Sequence, residues 1–105
     1  MKTINFDNYI LIEVSYSSNL NMLLEFLNQN QSNCPNIIIN LLKSNLDKDA
    51  IVSKLFAFHL NWEKRNKSFI LVSNIGRESL ERLVSINSLE EAIDFFHMEE
   101  LTRSI

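Results

Sequence analysis

The chain has 105 residues, 46% of them hydrophobic and 22% charged, with a formal net charge of −3. That length suits one domain, and a domain of this size buries roughly 60–70% of the surface its unfolded chain exposes, enough for a core without metals or disulfides. Cys34 is the only cysteine, which excludes an internal disulfide and any zinc site made of paired thiolates. The acidic balance argues against nucleic acid as the main partner, and no apolar run approaches the roughly 20 residues of a membrane span.

The N-terminal stretch Met1–Asp7 has no apolar run of signal-peptide length. With the lone cysteine, that predicts a reducing, cytoplasmic setting. Ile4–Phe6 and Tyr9–Val14 read as two strands joined through Asp7-Asn8, a hairpin turn. Alternation places Tyr9, Leu11 and Glu13 on one face and Ile10, Ile12 and Val14 on the other. Ser17 or Ser18 can cap a helix, whose stripe is Leu20, Leu23, Leu24 and Leu27. Residues 28–35 form a polar loop. Ile37–Leu42 is short, apolar and rich in β-branched residues, as a central parallel strand is.

Ser44-Asn45-Leu46-Asp47 is a loop with capping chemistry, and a long helix runs from about Lys48 to Lys64. Ile51, Leu55, Phe58 and Trp62 line one face of it, widened by Val52 and Phe56. The basic run Lys64-Arg65-Asn66-Lys67 suits the negative end of that helix dipole. Phe69–Val72 reads as a second buried strand, Arg77–Arg82 as a short helical turn, and Leu83–Ile86 as a short edge strand. Ser88-Leu89-Glu90-Glu91 is a capping box opening a last helix with Leu89, Ala92, Ile93 and Phe96 inward. With Gly76 and Pro35 the only residues of their kinds, turns must rely on Asn, Asp and Ser. The order β-β-α-β-α-β-α-β-α predicts an α/β fold: a mixed sheet of four or five strands covered by helices, in one domain over 1–105.

Several segments in this order resemble the STAS domain family, which includes bacterial anti-sigma-factor antagonists. Asn36-Ile37-Ile38-Ile39-Asn40-Leu41 is similar to the family strand "N-I-I-L-D-L", and Lys67-Ser68-Phe69-Ile70-Leu71-Val72 to the strand after it. Ser85–Ile93 resembles the closing strand and "T/S-x-E-E-A" helix start, and Phe96-His97-Met98-Glu99-Glu100-Leu101 the ending of short bacterial STAS-like chains. The resemblance implies a non-catalytic regulatory domain whose partner is an anti-sigma-factor kinase or another regulator, with no cofactor. In the family, the loop after the central strand reads roughly Asp-Ser-Ser-Gly, and one serine is phosphorylated at a helix start, where an anion is tolerated. Here Asp47-Lys48-Asp49-Ala50 stands there, with neither the serine nor the glycine. No phosphoacceptor therefore carries over. Asp47 or Asp49 either supplies a fixed negative charge in place of phosphate, or is an ordinary cap and first-turn residue.

Nothing else in the chain assembles a reaction centre. His59 and His97 fall on different helices, one glycine cannot build a phosphate loop, and Cys34 has no histidine near it in sequence. Glu90, Glu91, Asp94, Glu99 and Glu100 read as the solvated face of a helix, and Trp62 beside Lys64, Arg65 and Lys67 as a helix C-terminus. The expectation is a non-enzymatic protein-binding domain with no metal, its contact surface formed by Ser44, Asn45, Asp47, Lys48 and Asp49. The alternative is a structural module that self-associates as a dimer through exposed aromatic surface.

Overall fold

A computed structural model describes residues 1–15, 20–75 and 83–104, apart from the side chain of Lys48. Its elements are β1 (Lys2–Asn5), β2 (Ile10–Glu13), α1 (Leu20–Gln29), β3 (Ile37–Asn40), α2 (Lys48–Lys64), β4 (Phe69–Val72), β5 (Val84–Ile86) and α3 (Leu89–Ser104). The expected caps at Ser17 or Ser18 and the short helix at Arg77–Arg82 lie outside the described residues.

The strands form one five-stranded sheet in the order β1-β2-β3-β4-β5. β1 and β2 make an antiparallel hairpin, and every later pairing is parallel. The expected mixed sheet is thus present, with β3 at its centre. The hairpin is shifted from the sequence expectation. Phe6 falls outside β1, its N–H donating to the Tyr9 carbonyl at 2.9 Å to close the turn, and its ring stacks on Tyr9 at 4.8 Å.

Alternation along the strands divides the interior in two. Ile12, Val14, Ile37, Ile39, Phe69 and Leu71 face Leu23 and Leu27 of α1 and Ile51, Leu55 and Trp62 of α2. Leu11, Ile38, Ile70 and Val72 point the other way, onto Ala92 and Phe96 of α3. Because β2, β3 and β4 advance across the sheet in one direction, crossovers of one hand put α1 and α2 on the same side. α3 follows the last strand and is free to cross back over the opposite face. The strands buried on both faces, β3 and β4, are the ones whose sequences are continuous apolar runs.

The α1/α2 layer is closed at its lower end by hydrogen bonds to the loop after α1. Trp62 is fully buried, and its Nε1–H donates to the Pro35 carbonyl at 2.7 Å. Arg65 Nη1 donates to the Ser32 carbonyl at 2.8 Å, and Asn61 Nδ2 to that of Gln31 at 3.1 Å. Trp62 is therefore a core residue and offers no face for base stacking. The loop itself is less polar than its composition suggests. Cys34 is buried with φ 42°, and its thiol donates to the Gln31 carbonyl at 2.9 Å. Burial pushes that thiol's pKa above the ordinary value, against the opposing pull of Arg65 and Lys67. Asn66, the other residue with positive φ among those described, ends α2 in the left-handed region that asparagine tolerates.

Candidate functional site

The parallel strands end together at one edge of the sheet, where the loops after β3, β4 and β5 gather. In open α/β sheets this carboxyl edge is where binding surfaces form. The loop after β3 is held to both layers. Leu42 packs with the α3-side cluster and Leu46 with the α1/α2-side cluster, so the backbone between them straddles the end of the sheet. Leu41 N–H extends the ladder to the Val72 carbonyl at 2.8 Å, and Asn40 Oδ1 accepts from Leu42 N–H at 3.1 Å. Both donors of Ser44 go to one acceptor: its N–H at 3.0 Å and its hydroxyl at 2.8 Å reach the Leu41 carbonyl.

α2 then starts on a side-chain cap. Asp47 has extended backbone, φ −88° and ψ 173°, and its Oδ1 accepts from Ala50 N–H at 2.8 Å. Its carbonyl takes the first helical bond, from Ile51 N–H at 3.0 Å. This is the ordinary N-cap role expected of an aspartate here. Asp49 stands exposed in the first turn, at the end of α2 where the macrodipole favours a carboxylate. Lys43, Asn45 and Asp47 are also exposed. The predicted contact residues thus lie on the loop after β3 and the first turn of α2, with Ser44 and Asp47 bonded back to Leu41 and Ala50. Ser44 is half-buried with its hydroxyl committed, and the Lys48 side chain lies outside the description.

The exit of β4 is held differently, by a pair of buried serines that sequence reasoning missed. Ser73 Oγ and Ser85 Oγ are 2.6 Å apart. Ser85 Oγ donates to the Ile75 carbonyl at 3.0 Å, and Ile75 N–H donates to Ser73 Oγ at 3.3 Å. Each hydroxyl has one proton, and a carbonyl can only accept. Ser85 spends its proton on Ile75, so the short bond must run from Ser73 to Ser85. The ring of three hydrogen bonds fixes the turn at Asn74-Ile75. No periodicity marks it, because the two serines meet only through the β4–β5 pairing.

Neither protein families nor curated proteins give a match to this sequence. Among solved structures, the crystal structure of a "putative anti-sigma factor antagonist" from Thermotoga maritima is similar, with a TM-score of 0.63 at 13% sequence identity, over 91% of this chain and 93% of that one. The fold is STAS-like. At that identity the likeness concerns the arrangement of strands and helices, and the chemistry has to be judged on this chain's own side chains.

The two histidines stand apart on different helices. His59 is buried on α2, with Nε2 3.0 Å from Glu63 Oε2 and its ring 6.0 Å from those of Phe56 and Phe69. His97 is exposed on α3, with Nδ1 3.9 Å from Glu100 Oε1. Among the described residues no group of three or more His, Cys, Asp and Glu is placed to hold a metal ion, and no helix is long and apolar enough to cross a membrane.

Two clefts flank α3. One, of about 510 Å³, lies between α3 and the outer strand β5, with Ile75, Ile86, Phe95 and Met98 against Glu91 and Asp94. The other, of about 540 Å³, lies at the opposite end, between Lys67 and Asn36 and the His97–Arg103 stretch of α3. Beside the latter, the buried Ser68 hydroxyl donates to Glu99 Oε1 at 2.8 Å and accepts from Arg103 Nη1 at 3.1 Å, tying the end of α3 to the start of β4. The first cleft has a sequence signal: Phe95 and Met98 form a second apolar pair at i, i+3, off the inward stripe Leu89, Ala92, Ile93 and Phe96.

Proposed function

We propose that this chain is a non-catalytic, cytoplasmic regulatory domain that binds a protein partner through the loop after β3 and the first turn of α2. The observation that carries this reading is the state of residues 43–49. Lys43, Asn45, Asp47 and Asp49 are exposed, while Ser44 and Asp47 bond back to Leu41 and Ala50 and so restrain the backbone on either side of Asn45-Leu46. A preorganised surface loses little entropy on docking, which favours binding. The STAS-like fold supports a partner of the anti-sigma-factor kinase type or a related regulator. No serine stands at the family's phosphorylation position, and the Ser44 hydroxyl is half-buried and already bonded. Binding through this surface is therefore constitutive in our reading, not switched by phosphate there.

The test is affinity capture from native lysate with the wild type beside an Asp47→Asn/Asp49→Lys variant. Asparagine retains the N-cap, so the fold is preserved while residues 43–49, with Lys43 and Lys48 against Asp47 and Asp49, go from neutral to strongly positive. Loss of a partner from the variant supports the surface, and retention of the same partner refutes it. A second reading, a self-associating structural module, is favoured by Met98 and Leu101, which are 66% and 68% exposed on α3. A mass that rises with protein concentration, with no partner captured by either form, would select it.

A further inference from the structure

We propose that the outer edge of β1 pairs with the same strand of a second copy, antiparallel and centred on Ile4, so that two five-stranded sheets join into one. This surface is separate from residues 43–49. β1 is an end strand of the sheet and, among the described residues, pairs only with β2. The N–H groups of Ile10 and Val14 donate to the Asn36 and Asn40 carbonyls at 2.8 and 3.0 Å, toward β3. Backbone groups alternate in direction along a strand, so those of Leu11 and Glu13 face β1. Leu11 and Glu13 lie opposite Ile4 and Lys2, which therefore spend their N–H and C=O on β2, while those of Thr3 and Asn5 point outward. Thr3 and Asn5 are both exposed, and among the described residues no bond outside the ladder reaches their main chain.

A copy turned by half a revolution about Ile4 meets this edge with its own. Thr3 falls opposite Asn5 of the copy and Asn5 opposite Thr3, and each such pair exchanges two main-chain hydrogen bonds. Those bonds satisfy the outward groups of both strands and close the assembly, as a two-fold interface does. The side chains agree with this register. Ile4 packs with Tyr9 in the α3-side cluster, and Phe6, stacked on Tyr9, is 47% exposed on the same face. Among the described residues α3 packs over β3, β4 and β5, so helix cover ends short of Ile4 and Phe6. In the pairing Ile4 meets Ile4 of the copy. Phe6 meets Lys2, whose stem covers the ring with its ammonium over the face. Lys2 is the only charged residue of β1. The two-fold keeps the two lysines about 14 Å apart along the strands, beyond the Debye length at physiological salt, whereas an in-register parallel copy would set them side by side. The cover for Ile4 and Phe6 and the separation of charge both come from this chain's own sequence, which makes the occupant a second copy.

The test is disulfide trapping, with solution mass and amide NMR, on the whole chain. An antiparallel pair without mutual main-chain bonds, as Ile4 and its copy would be, brings Cα atoms to about 4.5 Å, within disulfide reach. Ile4→Cys should therefore cross-link to a dimer under mild oxidation. Lys2→Cys, on the same face but opposite Phe6, should not, and the native thiol of Cys34 is buried and does not compete. In the wild type, mass should rise toward a dimer at millimolar concentration, with the signals of Thr3–Phe6 shifting. Thr3→Pro gives up no bond to β2, because the N–H it removes points outward. It should stay folded and raise the dimer dissociation constant about ten-fold or more, since each dimer loses two N–H donors. A monomer at millimolar concentration, cross-linking that is absent or equal in the two cysteine variants, or a dimer unmoved by Thr3→Pro overturns the proposal. So do concentration-dependent shifts centred on Met98 and Leu101, which would put self-association on α3. The Asp47→Asn/Asp49→Lys variant should dimerise like the wild type, so this edge and the loop surface can fail separately.

Discussion

The two faces of the sheet are covered unequally. Five strands spaced about 4.8 Å apart span roughly 20 Å, and a helix with its side chains covers about 10 Å of that. Two helices, α1 and α2, therefore close one face, and that layer holds Trp62, Leu55, Ile51, Leu23 and Leu27 at or near zero exposure. On the other face, among the described residues, α3 alone packs over β3, β4 and β5. Along β1 and β2 the gap is filled by aromatics: Phe6 stacks on Tyr9, whose ring lies 5.1 Å from Phe96. Along β5, among the described residues, nothing comparable is present, and the cleft opens there. Among the described residues, the face with two helices is the more completely buried and the face with one leaves accessible surface.

The largest effect should come from the closed layer. Trp62→Ala removes the biggest fully buried side chain and leaves the Pro35 carbonyl without its indole donor. We expect a loss of about 4–5 kcal/mol in denaturant unfolding. Phe96→Ala on the open face should cost about 3 kcal/mol, at the lower end for a buried aromatic, because a single helix can settle toward the space. Equal costs would mean that the two layers are equally rigid and would break the comparison.

Next in size is the cap. Asp47→Ala should cost about 1 kcal/mol, while Asp47→Asn should cost only a few tenths, since asparagine also accepts from Ala50 N–H. At the exit of β4, Ser73→Ala and Ser85→Ala should each cost about 1 kcal/mol. Their double variant should cost clearly less than the two together, because both break the same ring of hydrogen bonds. Additive losses in such a cycle would show that the serines act independently.

The smallest effect concerns Cys34. Burial raises the folded thiol's pKa above its unfolded value. The stability this provides is fully present below the unfolded pKa and is lost as pH rises from there through the folded pKa. Stability measured across the alkaline range should therefore fall in the wild type, with a shallower fall in Cys34→Ala. An unchanged slope would contradict it.

What the sequence discloses follows from how local each signal is. Ile37–Asn40 and Phe69–Val72 could be read as strands because burial on both faces leaves a continuous apolar run. The caps at Asp47 and Ser88 could be read because a cap bonds a backbone N–H three residues on, as Glu91 N–H does to Ser88 Oγ at 3.2 Å. Each predicted contact residue whose side chain is described lies on the loop after β3 or the start of α2, since a loop between a buried strand and a capped helix has only one place to be. The Ser73–Ser85 ring, the Trp62–Pro35 bond and the burial of Cys34 depend on partners brought together by the fold, and no spacing announces them. The clefts beside α3 depend on where that helix lies across the sheet, which appears only once the elements are assembled.

The central claim, a protein-binding surface at residues 43–49, is tested most directly by affinity capture with the wild type and the Asp47→Asn/Asp49→Lys variant side by side. A partner recovered with the wild type and lost with the folded variant is the predicted result. The same partner recovered equally with both would contradict it.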